Sequence, residues 1–117
     1  RVHRGRAVDD VYFLPNRGIK GRWILHRLLQ MRFGLARRRI WVTTPYFVPD
    51  HATQRALARA ARRGVDVRVL VPAKNDVAIV QWASRAAYAA LLAAGVRLFE
   101  YRPRVLHAKT ALVDDHW

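Results

Sequence analysis

The candidate catalytic residues of this chain lie together near its C-terminal end. His107 and Lys109 are two positions apart, and Asp114 follows in the spacing H-x-K-x4-D. Because side chains alternate faces along a β-strand, His107 and Lys109 should project to the same side of the final strand. Asp114 has the opposite parity, which predicts an orienting or structural carboxylate rather than a second catalytic base.

An imidazole beside an ammonium suits phosphodiester chemistry. The imidazole supplies a nucleophile or a proton donor near neutral pH, and the lysine supplies a fixed positive charge for the phosphate oxygens. A single histidine is, however, more often a core or surface residue, and a nearby lysine is common in so basic a chain. The pattern alone leaves both interpretations open, and the flanking sequence must decide between them.

Composition limits the class of protein. The chain has 117 residues, 52% of them hydrophobic, and a formal net charge of +14 from 22 Lys plus Arg against 8 Asp plus Glu. This length suits one domain with a modest core, and the charge predicts attraction to a phosphate-rich substrate, a nucleic acid or an anionic membrane. There is no cysteine, and the five histidines lack ligand spacing. We therefore expect no disulfide, no metal and no other cofactor.

A repeated sequence pattern predicts the helices and strands that must position the motif. Three short β-branched runs, 40–44, 65–71 and 96–101, each follow a helical end and precede a proline. Gly64 and Gly95 lie where a glycine would end a helix in the left-handed conformation. Repeated helix-to-strand passages predict an α/β fold with a mixed, largely parallel sheet flanked by helices.

Three helices are expected, at about 20–38, 52–63 and 81–94. In the first helix, four apolar residues recur at helical spacing, and this spacing predicts an apolar stripe that covers the sheet. They are Ile24, Leu28, Met31 and Leu35. In the second helix, Leu57, Ala60 and Ala61 should face the core, with the arginines in water. Residues 1–18 are taken as an N-terminal extension without an assigned function, and 19–117 as the domain.

Four blocks in this order resemble the phospholipase D superfamily, and most closely the C-terminal half of bacterial cardiolipin synthases. They are Arg39–Asp50 (RIWVTTPYFVPD), Ala60–Pro72 (AARRGVDVRVLVP), Leu91–Tyr101 (LLAAGVRLFEY) and Leu106–Thr110 (LHAKT). The resemblance covers residues 37–117.

The resemblance implies two H-x-K motifs facing each other across one active site. One histidine would attack phosphorus to form a phosphohistidine, and the other would protonate the leaving alcohol. By this resemblance His107 is the acid-base histidine, Lys109 binds phosphate, and Asp114 supports them. Such enzymes use phosphatidylglycerol as donor without a metal, so an anionic phospholipid and a second motif-bearing half are the expected partners.

The loop that follows the first predicted strand is a candidate wall of the site. In open α/β sheets, ligands bind outside the carboxyl ends of the strands. Tyr46 and Phe47 in the loop Pro45–His51 are therefore candidates for contact with the acyl-glycerol part of a lipid. A packed connection stiffened by proline is an equally good interpretation.

The sequence also departs from the family it resembles. Members continue after the motif into a Gly-Ser-x-Asn segment, whereas this chain ends at Trp117, and it carries a single H-x-K motif. It begins at Arg1 rather than methionine. We expect an excerpt of a longer protein that cannot turn over alone.

Three functions remain open on the sequence. The first is a phosphatidyltransferase at the cytoplasmic side of the bacterial inner membrane, with peripheral contact because the apolar stretch 86–96 is too short to span a bilayer. The second is a dimeric nuclease of the same superfamily, which the charge would suit. The third is a non-catalytic basic module that binds a membrane or a nucleic acid.

Overall fold

Helices and strands alternate through most of the chain. The computed structural model describes residues 18–73 and 78–115, so most of the expected N-terminal extension lies outside the described residues. The helices are α1 (Gly18–Leu35), α2 (His51–Arg62) and α3 (Ala78–Ala93). The strands are β1 (Arg39–Thr43), β2 (Asp66–Pro72), β3 (Arg97–Tyr101) and β4 (Thr110–Val113).

The four strands form one sheet in the order β3-β2-β1-β4. The first three strands are parallel to one another, and β4 pairs antiparallel with β1. Gly64 and Gly95 end α2 and α3 with φ values of 88° and 96°, a conformation that glycine adopts without steric cost. The structure thus confirms the mixed, largely parallel sheet and both predicted helix ends.

The core lies between the sheet and the helices. Val67, Val69 and Val71 alternate along β2 and are all buried, as are Leu57 of α2 and Leu91 of α3. Burial of each such side chain contributes about 1.5–3 kcal/mol relative to its exposure in water. The predicted core-facing side of α2 is confirmed, because Ala60 is also fully buried while Arg55, Arg59 and Arg62 are exposed.

The apolar stripe predicted for α1 does not face the core, so this prediction was wrong. Phe33 is the buried residue of the helix, and Leu29 packs beside it. Ile24, Met31 and Leu35 are instead 55%, 52% and 66% exposed. A second apolar row at positions 25, 29 and 33 also has helical spacing, and periodicity does not say which row packs against the sheet.

The opposite face of the sheet carries a polar and aromatic cluster. Asp66 accepts hydrogen bonds from Arg68 Nε at 2.9 Å and Trp41 Nε1 at 3.2 Å, and it pairs with Arg97. The hydrogen bond from Arg68, followed by that from Arg97, lowers the pKa of Asp66 to about 2. Because these residues come from β1, β2 and β3, the cluster ties the three parallel strands together.

Candidate functional site

An open cleft of about 540 Å³ lies where α1, the loop after β1 and the start of β4 meet. Most of its wall is apolar and includes Leu25, Leu29, Phe33, Val42, Phe47, Val48 and Leu57. Its polar groups include His26, Thr44, Asp50, Thr53 and Lys109. An apolar cleft with a few convergent polar groups is the usual form of a site for a small molecule or a lipid.

The two aromatic residues of the loop occupy different positions. Tyr46 lines the cleft and is 42% exposed, so a ligand can contact its ring and hydroxyl. Phe47 is 7% exposed, belongs to the core and stacks on Tyr88 with 6.1 Å between ring centroids. Phe47 therefore shapes the wall from the core side, whereas Tyr46 is the more accessible candidate for direct contact.

His107 and Lys109 lie before the last strand rather than within it, which corrects the prediction based on strand parity. Both are exposed, and β4 begins only at Thr110, which pairs with Thr43. If that register continued, Pro45 would oppose Ala108, and proline has no N–H to donate to the ladder. His107 and Lys109 therefore lie in a segment outside any strand, where the alternation of faces does not apply.

The cleft includes one of the two motif residues. Lys109 lines the cleft beside Thr110 and Ala111, whereas His107 is not part of its wall. The histidine lies two residues further back along the same exposed segment. Lys109 can therefore offer its ammonium to an anionic group in the cleft, and the shared role of the pair remains a prediction.

Asp114 anchors the C-terminal end of β4 to the chain that enters β1. Its carboxylate accepts hydrogen bonds from the backbone N–H groups of Arg39 at 3.0 Å, Arg38 at 2.7 Å and Arg37 at 3.1 Å. Its own N–H donates to the Arg39 carbonyl at 2.8 Å. The hydrogen bond from Arg39, followed by those from Arg38 and Arg37, lowers the pKa of Asp114. These contacts orient the strand that follows Lys109.

A polar cluster at the rim of the cleft was not predicted from the sequence. His26 Nε2 lies 3.1 Å from Asp50 Oδ2 and 2.9 Å from Gln30 Nε2, and Gln30 also donates to Thr53 Oγ1 at 3.2 Å. The spacing of His26 and Gln30, four apart on one helix, could have indicated that they are neighbours. Nothing local could have placed them against the start of α2.

Asp50 is the N-cap of α2 and connects this cluster to the helix. Its carboxylate accepts a hydrogen bond from the Thr53 N–H at 2.8 Å, which satisfies one of the free donors of the first turn. Hydrogen bonds from Thr53, and then the interaction with His26, lower the pKa of Asp50 to about 2. The carboxylate is therefore charged throughout the physiological pH range.

Asp50→Ala should destabilise the protein by about 1 kcal/mol, the usual cost of losing an N-cap. The pKa of Asp50 in the folded state lies below the usual value of 3.8, so the carboxylate stabilises the fold above that pH, and this stabilisation is lost as the pH falls towards about 2. Urea unfolding between pH 2 and 7 should show a smaller loss of stability on acidification in the variant. Asp50→Ser, which retains a cap, is the matched control, and equal stability of the Ala and Ser variants would contradict a capping role.

Two further properties concern the described residues only. Within the ranges 18–73 and 78–115, no group of three or more His, Cys, Asp or Glu side chains could hold a metal ion. None of the helices in the same ranges is long and apolar enough to cross a membrane.

The family whose sequence profile matches this chain is described as "Cardiolipin synthase, PLD-like domain", and the match covers residues 29–117. Cardiolipin synthase A of Pectobacterium carotovorum subsp. carotovorum is 46% identical over 91 residues, which is 78% of this chain and 19% of that protein. Cardiolipin synthase A of Edwardsiella ictaluri is 45% identical over the same shares of the two chains. The chain therefore spans about a fifth of the length of these curated relatives.

Two solved structures share the fold. Nuc of Salmonella typhimurium, a phospholipase D family member, has a TM-score of 0.65 and 25% identity, over 75% of this chain and 56% of that chain. The polyphosphate kinase of Porphyromonas gingivalis has a TM-score of 0.57 and 26% identity, over 76% of this chain and 13% of that chain. The agreement with Nuc supports the arrangement of helices around a mixed sheet described above.

Proposed function

Because the chain belongs to the cardiolipin synthase, PLD-like domain family, we propose that its protein is a phosphatidyltransferase that makes cardiolipin from phosphatidylglycerol. The curated relatives are named cardiolipin synthase A, and they match 78% of this chain at 45–46% identity. An anionic phospholipid is then the substrate. The same proposal places the protein in peripheral contact with the cytoplasmic side of the bacterial inner membrane.

The observation that carries the proposal is the largely apolar cleft with Lys109 in its wall. A phospholipid joins a charged phosphate to an apolar glycerol ester, and this cleft offers a cation beside apolar side chains. A nucleic acid backbone has no comparable apolar part, and its recognition rests mainly on contacts with phosphate and base. The lining of the cleft therefore favours a lipid over a nucleic acid, although the net charge alone would suit either.

The proposed mechanism divides the reaction into two transfers. A histidine from a second motif attacks phosphorus, the phosphorus–oxygen bond to the leaving glycerol breaks, and His107 donates a proton to that oxygen. His107 then takes a proton from the acceptor hydroxyl, whose oxygen attacks phosphorus and releases the nucleophilic histidine. Lys109 balances the negative charge on the phosphate oxygens in both steps. Asp114 holds the strand end that positions the motif.

The second motif has to come from elsewhere, because this sequence contains one H-x-K motif. We propose that the missing half is supplied either by the same longer polypeptide or by a second copy of the chain. In both cases the exposed segment with His107 and Lys109 faces the partner half across the cleft.

The substrate class is tested with the full-length protein in detergent micelles. We expect conversion of phosphatidylglycerol to cardiolipin with release of one glycerol per product, measured by lipid chromatography and an assay for free glycerol. Plasmid DNA under the same conditions should stay intact. Cleavage of the DNA without cardiolipin formation would overturn the lipid assignment in favour of a nuclease. If neither phosphatidylglycerol nor DNA is converted, but the protein still binds one of them in a salt-sensitive way, a non-catalytic basic module would be favoured.

A further inference from the structure

Helix α1 has two apolar faces, and one of them is exposed. Phe33 and Leu29 pack on the core, and Leu25 lines the cleft. The other face presents five large apolar side chains, all more than half exposed: Ile19, Trp23, Ile24, Met31 and Leu35. We call these five residues the outer face of α1. A helix with apolar residues on both sides is typical of one that is buried on both sides.

Positive charge accompanies the outer face. The helix contains four basic residues and no acidic residue, and Lys20 and Arg27 lie among the apolar residues when the helix is projected along its axis. The Arg27 guanidinium lies over the Trp23 ring, 5.5 Å from its centroid. Together, Trp, aliphatic residues and arginine make up the surface of helices that lie in the interface of an anionic bilayer.

A protein surface is a poorer fit than a bilayer for this face. A protein that covered the outer face would have to desolvate Lys20 and Arg27 and also supply carboxylates to pair with them, since α1 itself has none. At a bilayer interface the apolar side chains enter the acyl region while the basic groups remain among anionic headgroups. A bilayer interface therefore accommodates the apolar side chains and the basic groups of the outer face together.

We propose that the outer face of α1 docks on an anionic lipid bilayer. The proposal deepens the proposed function, since the lipid substrate would lie in the same membrane. Because the inner side of the same helix supplies Leu25, His26 and Leu29 to the cleft, docking would hold one wall of the cleft at the membrane surface. A lipid could then enter the cleft without crossing water.

A fluorescent label at Met31 tests the contact directly. The sequence has no cysteine, so Met31→Cys accepts a polarity-sensitive fluorophore at one defined position of the full-length protein, with any cysteine outside this sequence replaced. We expect a blue shift with vesicles of phosphatidylglycerol and phosphatidylcholine, and none with phosphatidylcholine alone. Ala89→Cys, at an exposed position of α3, is the matched control and should not shift.

Two results would overturn the proposal. A label at Met31 that does not respond to anionic vesicles would show that the outer face stays in water. A label that is already blue-shifted without vesicles, and does not change with them, would show that another part of the protein covers it.

A second variant separates docking from catalysis. Trp23→Ser combined with Met31→Ser should weaken vesicle binding at least about tenfold, because two exposed apolar side chains leave the interface. Cardiolipin formation in detergent micelles should be unchanged, since neither residue lines the cleft. Failure of the unmodified protein to form cardiolipin in micelles would count against the proposed function, whereas unchanged vesicle binding by the double variant would count against the docking surface.

Discussion

His107→Ala should lower the rate of cardiolipin formation by about 10²–10⁴-fold, the usual contribution of a general acid-base catalyst. Without the imidazole, the leaving glycerol oxygen would depart without a proton donor, and the acceptor hydroxyl would attack without a base. The rate is measured on the full-length protein with phosphatidylglycerol in detergent micelles. The apparent KM should change little, because Lys109 rather than His107 lines the cleft.

The structure offers a matched control for this loss. His51 is also exposed, and it is the first residue of α2, outside the cleft wall. His51→Ala should keep its activity within about twofold of the unmodified protein, as is usual for a surface change away from a site. His107→Ala should unfold at the same urea concentration as the unmodified protein, because residue 107 is exposed outside any strand. A fully active His107→Ala variant would remove His107 from the mechanism.

Local signals in the sequence were sufficient for most of the fold. Gly64 and Gly95 mark the helix ends because a left-handed residue is needed there, and that need is encoded at one position. The alternation of valines in β2 and the arginine-rich surface of α2 are similarly local. Their placement required no knowledge of what packs against them.

Long-range pairing decided the features that the sequence did not predict. The start of β4 at Thr110 depends on the register with β1 and on where Pro45 falls in that register. The choice between the two apolar rows of α1 depends on which one meets the core, and Phe33 lies in the row that does. The contact between His26 and Asp50 joins residues 24 positions apart. None of these three features can be predicted from the sequence of one segment alone.

Asp114→Ala should destabilise the protein by about 2–3 kcal/mol. The variant loses the acceptor for three backbone N–H groups at the entrance to β1, and each such bond contributes about 0.5–1.5 kcal/mol. It also places alanine at a φ of 53°, where a Cβ is unfavourable and Asp or Asn is tolerated. Urea unfolding followed by circular dichroism measures the loss.

Three substitutions at this position separate the causes of that loss. Asp114→Gly removes the carboxylate but relieves the left-handed strain, so it should be more stable than Asp114→Ala. Asp114→Asn keeps one acceptor oxygen and tolerance of this φ, so it should be the least destabilised. The pKa of Asp114 is lowered from 3.8 in the folded state, so its contribution is present above about pH 4 and is lost as the pH falls further. All three variants should therefore lose less stability than the unmodified protein on acidification below pH 4.

Activity should follow the anchoring of β4 rather than the charge itself. Lys109 immediately precedes this strand, whose far end the Asp114 carboxylate fixes to the backbone of Arg38 and Arg39. Asp114→Asn should therefore keep most of the activity that Asp114→Ala loses, measured at a temperature where both variants are folded. Equal and complete loss in the two variants would instead assign the negative charge a direct part in proton transfer, and would give Asp114 the second catalytic role that its backbone contacts argue against.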